Sequence, residues 1–223
     1  MCVINVAIDG PAGAGKSTIA KAAAKELGFI YVDTGALYRT VGVNALRNKV
    51  NMESDEDIAS VLPSTQVQLK FVDGEQRMYL NGEDVSSEIR LPEASMAASR
   101  VSAVPKVREF LFDLQRDLAK KNNCIMDGRD IGTVVLPDAK VKIFLTASPE
   151  CRADRRYKEL CQKGVEVNYD DVLSDIVKRD YNDSHRAVAP LKPAEDSVYL
   201  DTSELDLQQS IDAVINIIKE KIN

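Results

Sequence analysis

Gly10, Gly15, Lys16 and Ser17 stand in the order G-x-x-x-x-G-K-S within the stretch AIDGPAGAGKST. Residues of these types at this spacing hold phosphate. Glycines let the backbone curl until its N–H groups face anionic oxygens, and a helix opening at Lys16 adds its positive N-terminal end. Lys16 reaches the outer phosphates, and Ser17 offers a hydroxyl to Mg2+. An apolar run before the motif and a helix-like run after it supply the strand–loop–helix context that separates this loop from a chance glycine-rich turn. The expected ligand is a nucleoside triphosphate, cradled by Gly10, Pro11, Ala12, Gly13, Ala14, Gly15, Lys16, Ser17 and Thr18. A guanine-dependent switch is not indicated. NKVN at 48–51 lacks the aspartate that reads guanine, and no D-x-x-G follows an expected strand.

Three further stretches combine arginine with carboxylates or hydroxyls at the ends of expected strands, where open α/β sheets hold ligands. In DTGALYR (33–39), Thr34 can cap the next helix and Arg39 lies one turn inside it. In MDGRDIGTVV (126–135), Gly128 frees the backbone beside Arg129 and Asp130. RDYNDSHRAVAPL (179–191) carries Arg179, Asp183, Arg186 and the only histidine, His185. Taken singly, Arg39 reads equally as a solvated helix residue, and Asp127 and Asp130 as turn formers. Beside a phosphate loop they read together as a second phosphate site, because guanidinium forks suit bidentate phosphate contacts. If a helix runs on through 179–186, Arg179, Asp183 and Arg186 share one face at i, i+4 and i+7, and His185 points about 240° from Arg179. His185 is therefore expected to be incidental.

The elements that must position these residues alternate. Short apolar runs at 3–8, 29–32, 124–126, 141–145 and 198–200 read as buried parallel strands. Helix-like stretches lie at 16–27, 37–46, 106–120, 151–163 and 172 to about 185. A terminal stretch, 207–222, carries apolar Leu207, Ile211, Val214, Ile215 and Ile218 on one face. Strands alternating with helices predict an α/β fold, a three-layer arrangement with a five-stranded parallel sheet flanked by helices. Residues 65–85 alternate apolar and polar, with turn signals at Asp73-Gly74 and Asn81-Gly82, and predict a small antiparallel β insert.

Composition narrows the class. At 223 residues, 44% hydrophobic and 29% charged, the chain fits one globular domain. No apolar run approaches the roughly 20 residues that span a bilayer, and the N-terminus shows no secretory pattern. A net charge of −6 argues against a general nucleic-acid or anionic-membrane surface, so an anionic ligand needs a local cluster of basic residues. Cys2, Cys124, Cys151 and Cys161 form no CxxC pair and fit ordinary thiols in a reducing cytosol.

The motifs GPAGAGKST, DTGALYR, ASRVSAVPKVR, DGRDIGTVV, RDYNDSHRAVAPL and LDTS resemble, nearly end to end, the bacterial-type cytidylate kinases of the nucleoside monophosphate kinase group. The resemblance implies a single P-loop kinase domain. Its core comprises 1–34, 122–150 and 187–223, and its NMP-binding region 35–121, with the β insert at about 63–91. A short lid at about 151–170 precedes an acceptor-site helix at about 171–186. It implies ATP with Mg2+ as cofactor, CMP or dCMP as acceptor, a cytoplasmic monomer, and no nucleic-acid or membrane partner. By position, Arg39, Arg129 and Arg186 hold the CMP phosphate; Ser99, Arg108 and Asp130 read cytosine; Arg179 and Asp183 hold the ribose. Arg155 and Arg156, in the basic stretch CRADRRYKELCQKG, lie near the ATP phosphates. By its place in the sequence alone, Ser99 reads as a solvated polar helix residue, Arg108 as a surface residue of a helix opened by Pro105, and Arg155 and Arg156 as part of a solvated charged face. Tyr38 reads as core packing. Thr34 stands where serine is common in the family and keeps a hydroxyl at the CMP site. Tyr181, Asn182, Ser184 and His185 make the stretch between Arg179 and Arg186 less basic than the family's usual version. The nearest alternative is another small-molecule P-loop kinase, such as a UMP or broad pyrimidine monophosphate kinase.

Overall fold

The computed structural model describes residues 3–162 and 164–222. Cys2, counted above among the thiols, and Lys163, placed above in a helix, lie outside the described residues. In chain order the elements are β1 (Asn5–Asp9), α1 (Lys16–Leu27), β2 (Ile30–Asp33), α2 (Thr34–Arg47), α3 (Asp55–Ser60), β3 (Val67–Val72), β4 (Glu75–Leu80) and β5 (Glu83–Asp84). There follow α4 (Pro92–Val101), α5 (Pro105–Lys121), β6 (Cys124–Gly128), β7 (Val141–Thr146), α6 (Pro149–Gln162), α7 (Tyr169–His185), β8 (Val198–Asp201) and α8 (Leu207–Ile222). A π turn occupies Ile131–Val135. Among the described residues, five strands form a parallel sheet in the order β2-β6-β1-β7-β8, and three form a second sheet in the order β3-β4-β5.

The chain divides into two compact units, one of residues up to Tyr31 with those from Lys121 onward, the other Val32–Lys120. In the first, β1 is the central strand, paired with β6 and β7, and its run Val6, Ala7, Ile8 is wholly buried. A strand covered on both faces needs a continuous apolar run rather than alternation. Ile19, Ala20, Ala23 and Ala24 of α1 meet Val214, Ile215 and Ile218 of α8 in the same core. Leu207, expected on the buried face of α8, is exposed at the helix's first residue, ahead of the packed turns. α6 and α7 make a separate small cluster of Ala153, Val172 and Ile176.

In the second unit, α2, α4, α5 and the β3–β4 hairpin share a core containing Leu37, Val41, Met78, Leu80, Val101 and Leu111. Both turn signals are realised. Asp73 and Gly74, and Asn81 and Gly82, all have positive φ, as two-residue hairpin turns matching the right-handed strand twist require. α2 opens at 34 rather than 37, and its cap is Asp33, not Thr34. The Asp33 carboxylate accepts from the Ala36 N–H at 3.0 Å, and Thr34 is the first helical residue. The short helices α3 and α4 did not stand out by apolar period; α3 is capped by the Ser54 hydroxyl and α4 starts on Pro92.

Candidate active site

The phosphate loop leaves the carboxyl end of β1. Gly10, Gly13 and Gly15 all have positive φ, and Gly15 immediately precedes α1. Lys16 is buried, and its Nζ donates to the Pro11 carbonyl at 2.7 Å, so the ammonium already arches across the loop. Burial, followed by the neighbouring Arg129 guanidinium, lowers the Lys16 pKa, with Asp127, Asp9 and Asp183 opposing. A lysine in that environment gains from an arriving polyanion, which supplies the charge partner that burial denies it.

Two carboxylates frame the loop. Asp127 sits inside β6, opposite Ile8 in the parallel register, and not in a turn. It accepts from the Ser17 hydroxyl at 2.9 Å and from the Tyr31 hydroxyl at 3.0 Å. Sequence reasoning missed this residue as a site group, although an aspartate closing the apolar run CIMD beside a phosphate-loop strand is the signal of the carboxylate that accompanies Mg2+ in P-loop enzymes. Asp9, at the end of β1, accepts from the backbone N–H groups of Ile131 at 2.8 Å and Gly132 at 2.7 Å. It thereby fastens the π turn that follows Arg129 and Asp130. Burial pushes the Asp9 carboxyl up to about 6, against the pull of these two amides.

Two arginines of this unit are held by buried acids. Arg129 Nε donates to Asp183 at 2.8 Å, and Arg186 Nη2 to Asp130 at 3.3 Å. Asp130 is buried at the start of the π turn rather than forming an exposed turn. Burial raises the Asp183 pKa, but the charges of Arg129, Arg186 and Arg179 and the Arg129 hydrogen bond outweigh it and leave the carboxyl below its usual range. Lys16, Arg129, Arg179, Asp183, Arg186 and Asp130 thus belong to one electrostatic cluster. The helical face expected for 179–186 is corrected in one respect. α7 ends at His185, and Arg186 leaves it with extended φ and ψ. The chain folds back there, with Leu191 N–H donating to the Asp183 carbonyl and Arg186 Nε to the Ala189 carbonyl.

Asp183 supplies a pH signature. A carboxylate depressed in the folded state stabilises it fully above its unfolded pKa, and the contribution is lost as pH falls through the folded value. The stability difference between the parent chain and Asp183→Asn should therefore shrink below about pH 4. Urea melts across that range measure it, and a difference independent of pH contradicts the assignment.

In the second unit the Asp33 carboxylate does two things. One oxygen caps α2 and the other accepts from Arg39 Nη2 at 2.6 Å, laying the guanidinium over its own helix start. Thr34 is buried in the same turn. Arg108 is buried rather than on the surface, donating to the Ser102 carbonyl at 3.3 Å with its guanidinium 5.8 Å from the Tyr38 ring centre. Ser99 is half-buried on α4.

The basic stretch of α6 sorts differently from expectation. Arg155 donates to the Thr202 carbonyl at 2.7 Å and reaches the surroundings of Gly15. Arg156 pairs with Glu159 on the surface. Arg152, not singled out in the sequence, is the buried one. Burial lifts the Cys124 thiol to about 12, so it is inert. His185 is exposed, stacked on Tyr181 and bonded within its own helix turn. His185→Ala should leave maximal turnover within about three-fold, since an ionised phosphate acceptor asks for no base; a steady-state assay showing a hundred-fold loss contradicts this.

A phosphate loop closing the central strand of a parallel sheet, with an aspartate on the neighbouring strand, defines the P-loop class of nucleotide-binding α/β proteins. Within it, this chain belongs to the cytidylate kinase family, whose model, described as cytidylate kinase, matches residues 6–220. It is 52% identical over 214 residues to the cytidylate kinase of Caldicellulosiruptor bescii, covering 96% of this chain and 95% of that one. It is 50% identical over 216 residues to that of Thermosipho melanesiensis, covering 97% of each. Among solved structures, an uncharacterized protein from Eubacterium ventriosum shares the fold with a TM-score of 0.53 at 15% identity, covering 97% of this chain and 98% of that one. No helix among the described residues is long and apolar enough to cross a membrane.

Proposed function

We propose that the chain transfers the γ-phosphoryl group of ATP to CMP, and to dCMP, giving CDP or dCDP and ADP, as a cytoplasmic monomer in pyrimidine nucleotide metabolism. The observation that carries this reading, beside family membership, is that Arg129 and Arg186 are each fixed by a buried acid, Asp183 and Asp130, in the unit that holds the phosphate loop. In a protein of net charge −6, guanidinium forks preset in this way suit a second phosphate group.

The acceptor nucleophile is a phosphate-monoester oxygen with a second pKa of about 6, largely ionised at neutral pH, so proton abstraction is not the obstacle. The obstacle is repulsion between polyanions, together with charge spreading over the transferred oxygens. Lys16 and the loop amides hold the outer phosphates of ATP, and Arg155 adds charge near them. Arg39, Arg129 and Arg186 hold the acceptor phosphate in line. Cytosine's exocyclic amine donates to Asp130 and Ser99, and its ring nitrogen and carbonyl accept from Arg108; Thr34 adds a hydroxyl to the CMP site, and Arg179 with Asp183 engages the ribose. The Ser17 hydroxyl and Asp127 carboxylate, 2.9 Å apart, form a hard-oxygen pair that suits Mg2+ and would hold it. An ion held by this pair would supply positive charge against the negative charge of the triphosphate.

An ADP-release assay across CMP, dCMP, UMP, AMP, GMP and shikimate tests the acceptor. CMP and dCMP should turn over fastest. Turnover no better than with the other acceptors would refute the assignment, and preference for UMP would favour the broader pyrimidine kinase.

A further inference from the structure

Arg152 lies in the first turn of α6, with its side chain 3% exposed. All three of its guanidinium nitrogens donate. Nε goes to the Ala147 carbonyl at 2.8 Å, Nη1 to the Ala12 carbonyl at 3.0 Å and to Asp180 Oδ1 at 3.0 Å, and Nη2 to Asp180 Oδ2 at 2.5 Å. Asp180 therefore grips the fork from α7 while the fork grips the phosphate loop.

The Ala12–Gly13 peptide is trans, so its carbonyl and its N–H point in opposite directions. With the Ala12 oxygen drawn to Arg152, the Gly13 N–H is turned to the other side of the loop. The preceding carbonyl, that of Pro11, is taken by Lys16. The loop is thus pinned by a lysine across its mouth and an arginine at its back. A Cβ at Gly13 would approach the Arg152 Cβ at 3.3 Å, which shows how closely the loop lies on α6. Asp180 is also three residues from Asp183, the partner of Arg129. One helix, α7, thereby anchors both the loop and the arginine cluster.

We infer that Arg152, fixed by Asp180, is a positioning residue for the triphosphate: it locks the Ala12–Gly13 peptide so that the Gly13 N–H is presented to a phosphate oxygen. The inference rests on the ATP-binding part of the proposed function, not on the identity of the acceptor. Arg152 itself touches no reacting atom. Its loss should act on ATP affinity first, with acceptor affinity spared.

The test uses the full chain and two variants. Arg152→Lys keeps the charge but cannot span two carbonyls and a carboxylate at once. The double variant Arg152→Met with Asp180→Leu removes both partners together, so that neither charge is left without the other. Calorimetric titration with Mg2+-ATP should show affinity about ten-fold weaker in both, equivalent to about 1.4 kcal/mol. The CMP KM should stay within about two-fold, and the double variant should still melt cooperatively although the Ala147 and Ala12 carbonyls lose their donor. ATP affinity within two-fold of the parent in the folded double variant overturns the inference. So does a parallel loss for ATP and CMP, which is what a merely structural role would give. If the lysine variant does not fold, the double variant decides. If the parent binds ATP but transfers nothing to CMP, weaker ATP binding in the variants still supports Arg152's role while the proposed acceptor falls.

Discussion

Replacing Arg129 or Arg186 with alanine should lower turnover with CMP by about 10²- to 10³-fold, the range seen when a preorganised donor to developing transition-state charge is removed. Both guanidiniums are already fixed by buried acids, Arg129 by Asp183 and Arg186 by Asp130 and the Ala189 carbonyl. Little reorganisation is then left for the moment of transfer. The same pairing complicates the experiment. Each alanine also removes one partner of a buried carboxylate and so lowers stability. Turnover must therefore be measured on protein shown to be folded by circular dichroism. Arg→Lys at each position separates the effects, because charge is kept while the planar fork is lost. Folded variants with near-parental turnover would remove the clamp from the mechanism. Arg39→Ala tests the corresponding role in the other unit, and a comparable loss is expected there.

Gly10→Ala should abolish ATP binding and leave little folded protein. A Cβ at this position falls 1.9 Å from the Leu145 carbonyl oxygen, and Gly10 has φ of 151°. The obstructing atom is backbone of β7, directly beside β1 in the sheet. No side chain can swing away, so either the strands part or the loop unwinds. Gly28→Ala is the control. Gly28 also has positive φ, but nothing lies within 4 Å of its added Cβ, so only local strain of about 1 kcal/mol is at stake. Expression level, thermal midpoint and Mg2+-ATP titration read the contrast. A folded, ATP-binding Gly10→Ala protein would contradict the packing of the loop against β7.

The contrast between these glycines parallels what the sequence discloses and what it does not. α1 and α8 begin and end where their apolar periods do, and the Asp73-Gly74 and Asn81-Gly82 turns fall where their dipeptides stand. Those features are set by local steric and burial rules. Arg186 leaving α7 is not local. It depends on acceptors at Asp130 and Ala189, and the 186–191 segment folds back onto Asp183. Asp127 looked like a turn former because aspartate beside glycine usually is; its place inside β6 follows from pairing with β1. Arg152 sits among five basic residues of one stretch, and only the fold singles it out, by burying it against Ala12 and Asp180. Asp33 outcompetes Thr34 as the cap of α2, and the same carboxylate also restrains Arg39.

In the proposed reaction the γ-phosphoryl group moves intact from ATP to the phosphate of CMP. Incubating the protein with γ-labelled Mg2+-ATP and CMP, and separating the products, tests it most directly. The label should be found in the β-phosphate of CDP, in step with ADP formation and with little released as inorganic phosphate. Label released only as inorganic phosphate, or retained in ATP with CMP unchanged, would contradict it.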